Sequence, residues 1–192
     1  FTKVSTAITD FESNTLNDFQ TKFRASNFER QLDNADPSFV SNYTTYRMIR
    51  RFSPNTNTAT TYSIPFNNVI FNPHTGHQGA ISSTSFRFQD QDCFIDDNGE
   101  GQIRIFYLGA NNVKTFISRT AGTVDYTTGT VTINGINITS SAQISIFAKP
   151  AVDDVNSVRN QIMLLRGVTV ELYDETTGST TISGSVATAG ST

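Results

Sequence analysis

Gly122-Thr123-Val124-Asp125-Tyr126-Thr127-Thr128-Gly129-Thr130-Val131-Thr132-Ile133 is the stretch that decides the fold class. Val124 and Tyr126 fall on one face of a short strand, and Val131 and Ile133 on one face of the next. Thr127-Thr128-Gly129 supplies the tight turn between them, with Gly129 free to take positive φ. Outward from this hairpin the same texture continues. Short alternating segments recur at 80–88, 93–96, 102–108, 113–117, 123–126, 130–134, 136–139 and 143–148. Turns at Asp96-Asp97-Asn98-Gly99-Glu100-Gly101 and Gly109-Ala110-Asn111-Asn112 separate some of them. Strands of this length and spacing predict a small antiparallel β unit. Farther on, 155–166 reads as a strand or as a helical turn. Val168, Val170 and Leu172 alternate as a strand, and Asp174-Glu175-Thr176-Thr177-Gly178 is a turn. Residues 179–192 form either a last edge strand or a disordered tail.

Upstream the pattern changes. Thr2 to Ala7 reads as a strand. Leu16, Phe19 and Phe23 recur at helical spacing and predict a helix over 11–24 whose apolar face buries Phe19 and Phe23 against a first sheet. Thr9 with Glu12, or Asp10, marks its start. Ser26 with Glu29 opens a second helix, 27–33, buried through Phe28 and Leu32 and stopped before Asp36-Pro37. Residues 43–52 alternate as a strand: Tyr46, Met48, Arg50 and Phe52 on one face, Thr45, Arg47, Ile49 and Arg51 on the other. Thr61–Phe66 returns as a strand with Pro65 at an edge, and 72–79 is a Gly/Pro loop. The fold class is therefore α+β: an N-terminal helical segment plus antiparallel strands, with a β-rich C-terminal two-thirds. The expected parts are a helix-plus-sheet region over 1–71, a β-rich insertion or second subdomain over 72–154, and returning strands with a tail over 155–192. One composite domain is the alternative. The insertion is favoured, with strand 168–173 returning to the first sheet.

Composition limits the function. Hydrophobic residues make up 36 % of the 192, below the usual globular share. The 15 Phe and 6 Tyr compensate with large buried areas, in the absence of Trp. A net charge of −3 speaks against nucleic-acid binding by the whole surface. The single cysteine, Cys93, excludes an intrachain disulfide. No apolar run reaches the ~18 residues that span a bilayer, and no basic-then-apolar signal opens the chain. Phe1 in place of Met points to a fragment or a processed product.

Few residues suggest chemistry. His74 and His77 lie three apart in the Gly/Pro loop. A zinc site needs about three protein ligands, and the third would have to come from Asp90 or Asp92, so incidental loop histidines are the expectation. Asp90, Asp92, Asp96, Asp97 and Glu100 surround a Gly-containing turn. They are turn acids or a weak cation site, without the spacing of a helix–loop–helix calcium loop. Cys93 has no evident base and reads as a small buried residue rather than a nucleophile. Asn42-Tyr43-Thr44 and Asn137-Ile138-Thr139 match a glycosylation pattern by chance composition. No catalytic constellation, metal site or cofactor is expected. Arg47, Arg50 and Arg51 stand out on one short strand of an acidic chain. They mark a subunit contact or a solvated sheet face, and turn acids such as Asp96, Asp97, Asp153 and Asp154 are the expected counter-charges.

Two sets of motifs resemble one family. The hairpin 122–133, followed by the Asp153-Asp154-Val155-Asn156-Ser157-Val158-Arg159-Asn160-Gln161-Ile162 segment, is similar to a "G-T-I-D-Y-x-x-G-x-V/I" hairpin and a "D-I-x-S-x-x-N-Q-I" segment. These occur in the C-terminal region of the baseplate wedge subunit of T-even-like contractile-tail bacteriophages. Leu16–Ser26, then Leu32-Asp33 with Leu in place of the usual Ile, then Asp36–Asn42 and the basic strand Thr45–Arg51 follow the same family's order. The resemblance implies a virion structural and assembly protein, not an enzyme, located in the tail baseplate and assembled in the host cytoplasm. It also implies self-association, as a homodimer, and packing with other baseplate wedge proteins, with neither nucleic acid nor membrane as partner. Subunit contacts of this kind would hold one baseplate state and let the ring widen on contraction. The competing class is an extracellular β-rich receptor- or carbohydrate-binding module, suggested by the Thr/Asn/Gly/Tyr-rich β region. A metal-dependent hydrolase is a distant third.

Overall fold

The computed structural model describes residues 1–72, 74, 79–140, 143–157 and 161–191. Two α-helices occur among them, α1 (Thr2–Phe11) and α2 (Ala25–Asp33), with a single π-helical stretch at Glu12–Leu16. The strands are β1 (Lys22–Arg24), β2 (Met48–Phe52), β3 (Ala59–Pro65), β4 (Ile81–Ser83), β5 (Phe86–Phe88), β6 (Gln91–Asp97), β7 (Gln102–Leu108), β8 (Lys114–Asp125), β9 (Thr130–Asn137), β10 (Ile144–Ala148), β11 (Asp154–Asn156), β12 (Val168–Asp174) and β13 (Ser179–Val186). They divide into two compact units: Phe1–Thr45 with Asp153–Thr192, and Tyr46–Val152.

In the first unit the apolar stripe of α1 is Val4, Ala7, Ile8 and Phe11, at helical spacing. Thr2–Ala7 is thus helical, not a strand. Its Ser and Thr residues look strand-like, but the stripe decides. The helix expected over 11–24 is displaced toward the N-terminus. After Phe11 the backbone widens into the π-helical stretch, so the next buried apolar residue, Leu16, comes five positions on. That extra residue destroys the frame linking Leu16, Phe19 and Phe23. Phe19 is 57 % exposed, while Phe23 is buried in β1. Thr9 lies inside α1 and caps nothing; its hydroxyl donates to the carbonyls of Ser5 and Thr6. The second helix ends at Asp33 as expected but starts at Ala25, with Arg24 at its N-cap and no side-chain cap, so Ser26 lies inside it; Phe28 is buried and Leu32 only half-buried. The rings of Phe11, Phe23 and Phe28 meet at 5.0 to 6.0 Å between centroids. β1 pairs antiparallel with β11, Phe23 opposite Val155, which settles the start of 155–166 as strand.

A buried carboxylate ties the chain ends into this unit. Glu12 accepts the Leu165 N–H at 2.7 Å and the Ala189 N–H at 2.8 Å. Strand β12 pairs with β13, from Val168↔Val186 to Asp174↔Ser179, and does not return to the sheet of the other unit. Residues 179–186 are therefore strand.

The second unit is a sheet of nine strands among the described residues, in the order β2-β10-β4-β6-β7-β8-β9-β3, with β5 added to β6. All its pairings are antiparallel. The segments 113–117 and 123–126 are one bulged strand, β8, and 130–134 with 136–139 merge into β9. The two end strands, β2 and β3, curl toward each other. The rings of Phe52 and Tyr62 lie 4.6 Å apart, and the Asn55 N–H donates to the Tyr62 hydroxyl. The result is a nearly closed barrel-like sheet whose inner residues alternate, as pleating demands: Ile95, Ile103, Ile105, Val131, Ile133, Ile144 and Ile146 are all buried.

The β8–β9 turn shows why its sequence is restrictive. Asp125 Oδ1 accepts the N–H groups of Thr127 and Thr128, which holds that carboxyl below its ordinary pKa, and the Gly129 N–H donates to the Asp125 carbonyl. Asp174-Glu175-Thr176-Thr177-Gly178 repeats this turn in β12–β13. Gly129 has φ +69°, and a Cβ there would collide with the Asn68 carbonyl oxygen. Gly135 also has positive φ but meets nothing within 4 Å. Gly135→Ala should then cost only the left-handed backbone term, about 1–2 kcal/mol. Gly129→Ala should cost clearly more, because the 66–70 strand exit must move. Urea midpoints for the two variants test this, and equal losses would remove the steric argument.

Candidate interaction surface

In an antiparallel pair, directly opposed residues project to the same face. The register Ile49↔Phe147, Phe147↔Ser82, Ser82↔Asp96 and Asp96↔Arg104 therefore draws one outward row across β2, β10, β4, β6 and β7. Arg47 extends the row, its guanidinium donating to the Ser82 hydroxyl at 3.0 Å. Arg50 sits opposite the fully buried Ile146, so it faces inward, half-buried, and burial lowers its pKa. Of the three arginines on the basic strand, Arg47 and Arg51 share the outer face, as the alternation predicts, and Arg50 does not.

The row ends in a cluster of rings and cations. Asp96 receives Arg104 in a two-pronged pair, Nε to Oδ1 at 2.8 Å and Nη2 to Oδ2 at 2.9 Å, and Lys114 Nζ at 2.8 Å. These side chains cover the carboxylate, which is buried although it is on the outer face. The Phe94, Phe106 and Phe116 rings form a chain at 5.8 and 6.0 Å. Above them lie Arg104 over Phe116 at 4.7 Å, Lys114 over Phe106 at 4.4 Å and Arg119 over Phe116 at 4.2 Å. Sequence reasoning passed over this cluster. Its signal was present as a ring two residues from a charge in three successive strands: Phe94 with Asp96, Arg104 with Phe106, Lys114 with Phe116.

The other candidates do not converge. Asp97 is no turn acid. It ends β6 on the inner face, fully buried, with Oδ1 accepting the Ile81 N–H at 2.8 Å and Oδ2 accepting the Tyr126 O–H at 2.6 Å. Burial, then this hydrogen bond, pushes the Tyr126 phenol well above its ordinary pKa. Asp96 and Asp97 are thus withdrawn as counter-charges for a contact elsewhere. Asp154 is already paired with Lys22 at 2.8 Å. Asp90 sits at φ +60° in the β5–β6 turn, and Asp92 meets Arg87 at 3.3 Å. Cys93 is buried, donates to the Phe88 carbonyl, and has its thiol pKa raised by burial, the opposite of activation. Of the histidine pair, His77 lies outside the described residues. No group of three His, Cys, Asp or Glu placed to hold a metal occurs among the described residues. No helix among them is long and apolar enough to cross a membrane.

The first unit also exposes apolar groups. After α2 the chain runs through residues 39–45 without joining a helix or strand, leaving Val40 82 % and Tyr43 92 % exposed. Asn42 anchors this arm, its amide donating to the Glu29 carbonyl and to Asp33 Oδ1.

No curated protein matches the chain. The family model of baseplate structural protein gp6, C-terminal domain III, matches residues 1–51, which include α1, α2, the exposed arm and the basic strand, while the hairpin at 122–133 lies outside the match. Over that stretch the chain is similar to a structural protein of the phage baseplate.

Proposed function

We propose that this chain is a wedge component of a contractile-tail baseplate, working through contacts with its own copies and with other wedge proteins. It would sit in the virion tail after assembly in the host cytoplasm. The match over residues 1–51 carries the reading. The exposed Val40 and Tyr43 on an arm inside that stretch are available to such contacts, Tyr being enriched at interface cores. Arg47 and Arg51, on the outer sheet face, are the proposed contact residues of the basic strand. Arg50 faces inward and is left out of the proposed contact.

Sedimentation across a concentration series is the test. The chain should associate, and Arg47→Ser with Arg51→Ser should weaken association moderately and reduce its salt dependence. Exposed ion pairs contribute about 0.2–1 kcal/mol each and are screened by salt. A chain that stays monomeric at the highest concentration contradicts self-association. Unchanged association in the double variant removes only the arginine strand from the contact.

A further inference from the structure

Charge is unevenly distributed between the two units. Residues 46–152 hold eight Lys and Arg against six Asp and Glu, whereas 1–45 with 153–192 hold six against eleven. The imbalance is sharpest in the β12–β13 hairpin. From Gly167 onward the chain has Glu171, Asp174 and Glu175 and no lysine or arginine. The hairpin has an apolar side, with Val168 opposite Val186 and Leu172 opposite Ile182. Its other side carries Thr169 and Glu171 opposite Ser185 and Ser183. Val186 is buried, and a Cβ on Gly184 would meet the Phe1 ring at 2.9 Å, so the base of the apolar side is seated in its own unit. Glu171, Glu175 and Tyr173 remain exposed, Tyr173 at 63 %. Among the described residues neither outer edge of this two-stranded ribbon pairs with another strand, and such a ribbon is marginal until something covers it.

The outer sheet face is its complement. Arg47 and Arg51 stand at its β2 end, and Arg104, Lys114 and Arg119 lie over the phenylalanine rings around Asp96. Arginines with unspent donors above aromatic rings suit carboxylates and a stacked tyrosine. We propose that the acidic β12–β13 hairpin of one copy docks on this basic aromatic sheet face of a second copy. The inference rests on the self-association proposed above and names its two surfaces. Hairpin and face are different patches, so each contact is head-to-tail. Two reciprocal contacts close a two-fold dimer, and single ones extend into a ring.

The test uses charge reversal at positions that do not hold the fold. Arg104 and Lys114 are left alone because they cover Asp96, and Asp174 because it anchors its turn. One variant carries Glu171→Lys and Glu175→Lys, the other Arg47→Glu, Arg51→Glu and Arg119→Glu. Each alone should weaken association at least about tenfold at low salt. An equimolar mixture should recover it, since the reversed hairpin then meets the reversed face, and recovery shows that both variants are folded. Wild-type association with neither variant weakened, or weakening without recovery in the mixture, overturns the hairpin-on-sheet contact and leaves the assembly reading standing. A wild-type chain that never associates overturns self-association itself.

Discussion

Asp97→Ala is expected to destabilise the β-rich unit by about 3–5 kcal/mol. The carboxylate is fully buried and accepts from two buried groups, the Ile81 N–H of β4 and the hydroxyl of Tyr126, just after β8. Strand β4 touches β6 in register only at Ser82↔Asp96, so the carboxylate bond to Ile81 takes the place of a further ladder bond there. Truncation leaves two buried donors unsatisfied, each worth about 1–3 kcal/mol. Asp97→Asn should fall between wild type and Asp97→Ala, because the amide keeps one acceptor. Tyr126→Phe leaves the carboxylate with a single donor, so the Asp97→Ala and Tyr126→Phe losses should be strongly non-additive in a double-mutant cycle. Urea unfolding of the wild type, the three single variants and the double variant is the measurement. A loss below about 1 kcal/mol for Asp97→Ala would mean that water reaches both donors, and that the residue is the surface turn acid its sequence context suggests.

That sequence context misleads for a definite reason. Asp96-Asp97-Asn98-Gly99-Glu100-Gly101 has the composition of a turn, and Asn98 does organise one, its Oδ1 accepting the Glu100 and Gln102 N–H groups. The strand, however, continues through both aspartates. The parity of Cys93 and Ile95 places position 97 inside, and that of Phe94 places position 96 outside. Alternation carries that information, and composition overrides it. The same period-2 signal located β7 without error and found most of the other strands, because each buries one face and leaves the other wet. What alternation does not contain is strand order. The β10-β4-β6 adjacency, which joins Arg47 through Ser82 to Asp96 and the phenylalanine cluster, arises from pairings between segments far apart in sequence. The surface is therefore readable strand by strand but not as one surface. The N-terminal helix failed differently. A single π-helical turn shifts the frame by one residue, and a search at a period of 3.6 follows the wrong stripe past it.

Phe11→Ala should destabilise the helical unit by about 3–5 kcal/mol, the usual range for a buried phenylalanine. Phe11 is 2 % exposed and lies in edge contact with both Phe23 and Phe28, so its loss removes two ring contacts as well as its own burial. The core around it is small. Val4, Ala7, Ile8 and Leu16 complete it from the same helical segment, and α2 adds Ala25 and Phe28. A loss of this size is a large share of the about 5–15 kcal/mol that holds a typical domain, so the variant should lose helical circular dichroism at temperatures where the β-rich unit stays folded. Phe19→Ala is the control. A helix running through 11–24 makes Phe19 and Phe23 equivalent, whereas the π turn leaves Phe19 in solvent and Phe23 in the cluster. Phe19→Ala should change stability by no more than about 0.5 kcal/mol, and Phe23→Ala should approach the Phe11→Ala loss. Similar large losses at both Phe19 and Phe23 would restore the continuous helix. A small loss at Phe11 would mean that the three rings do not form the core of this unit.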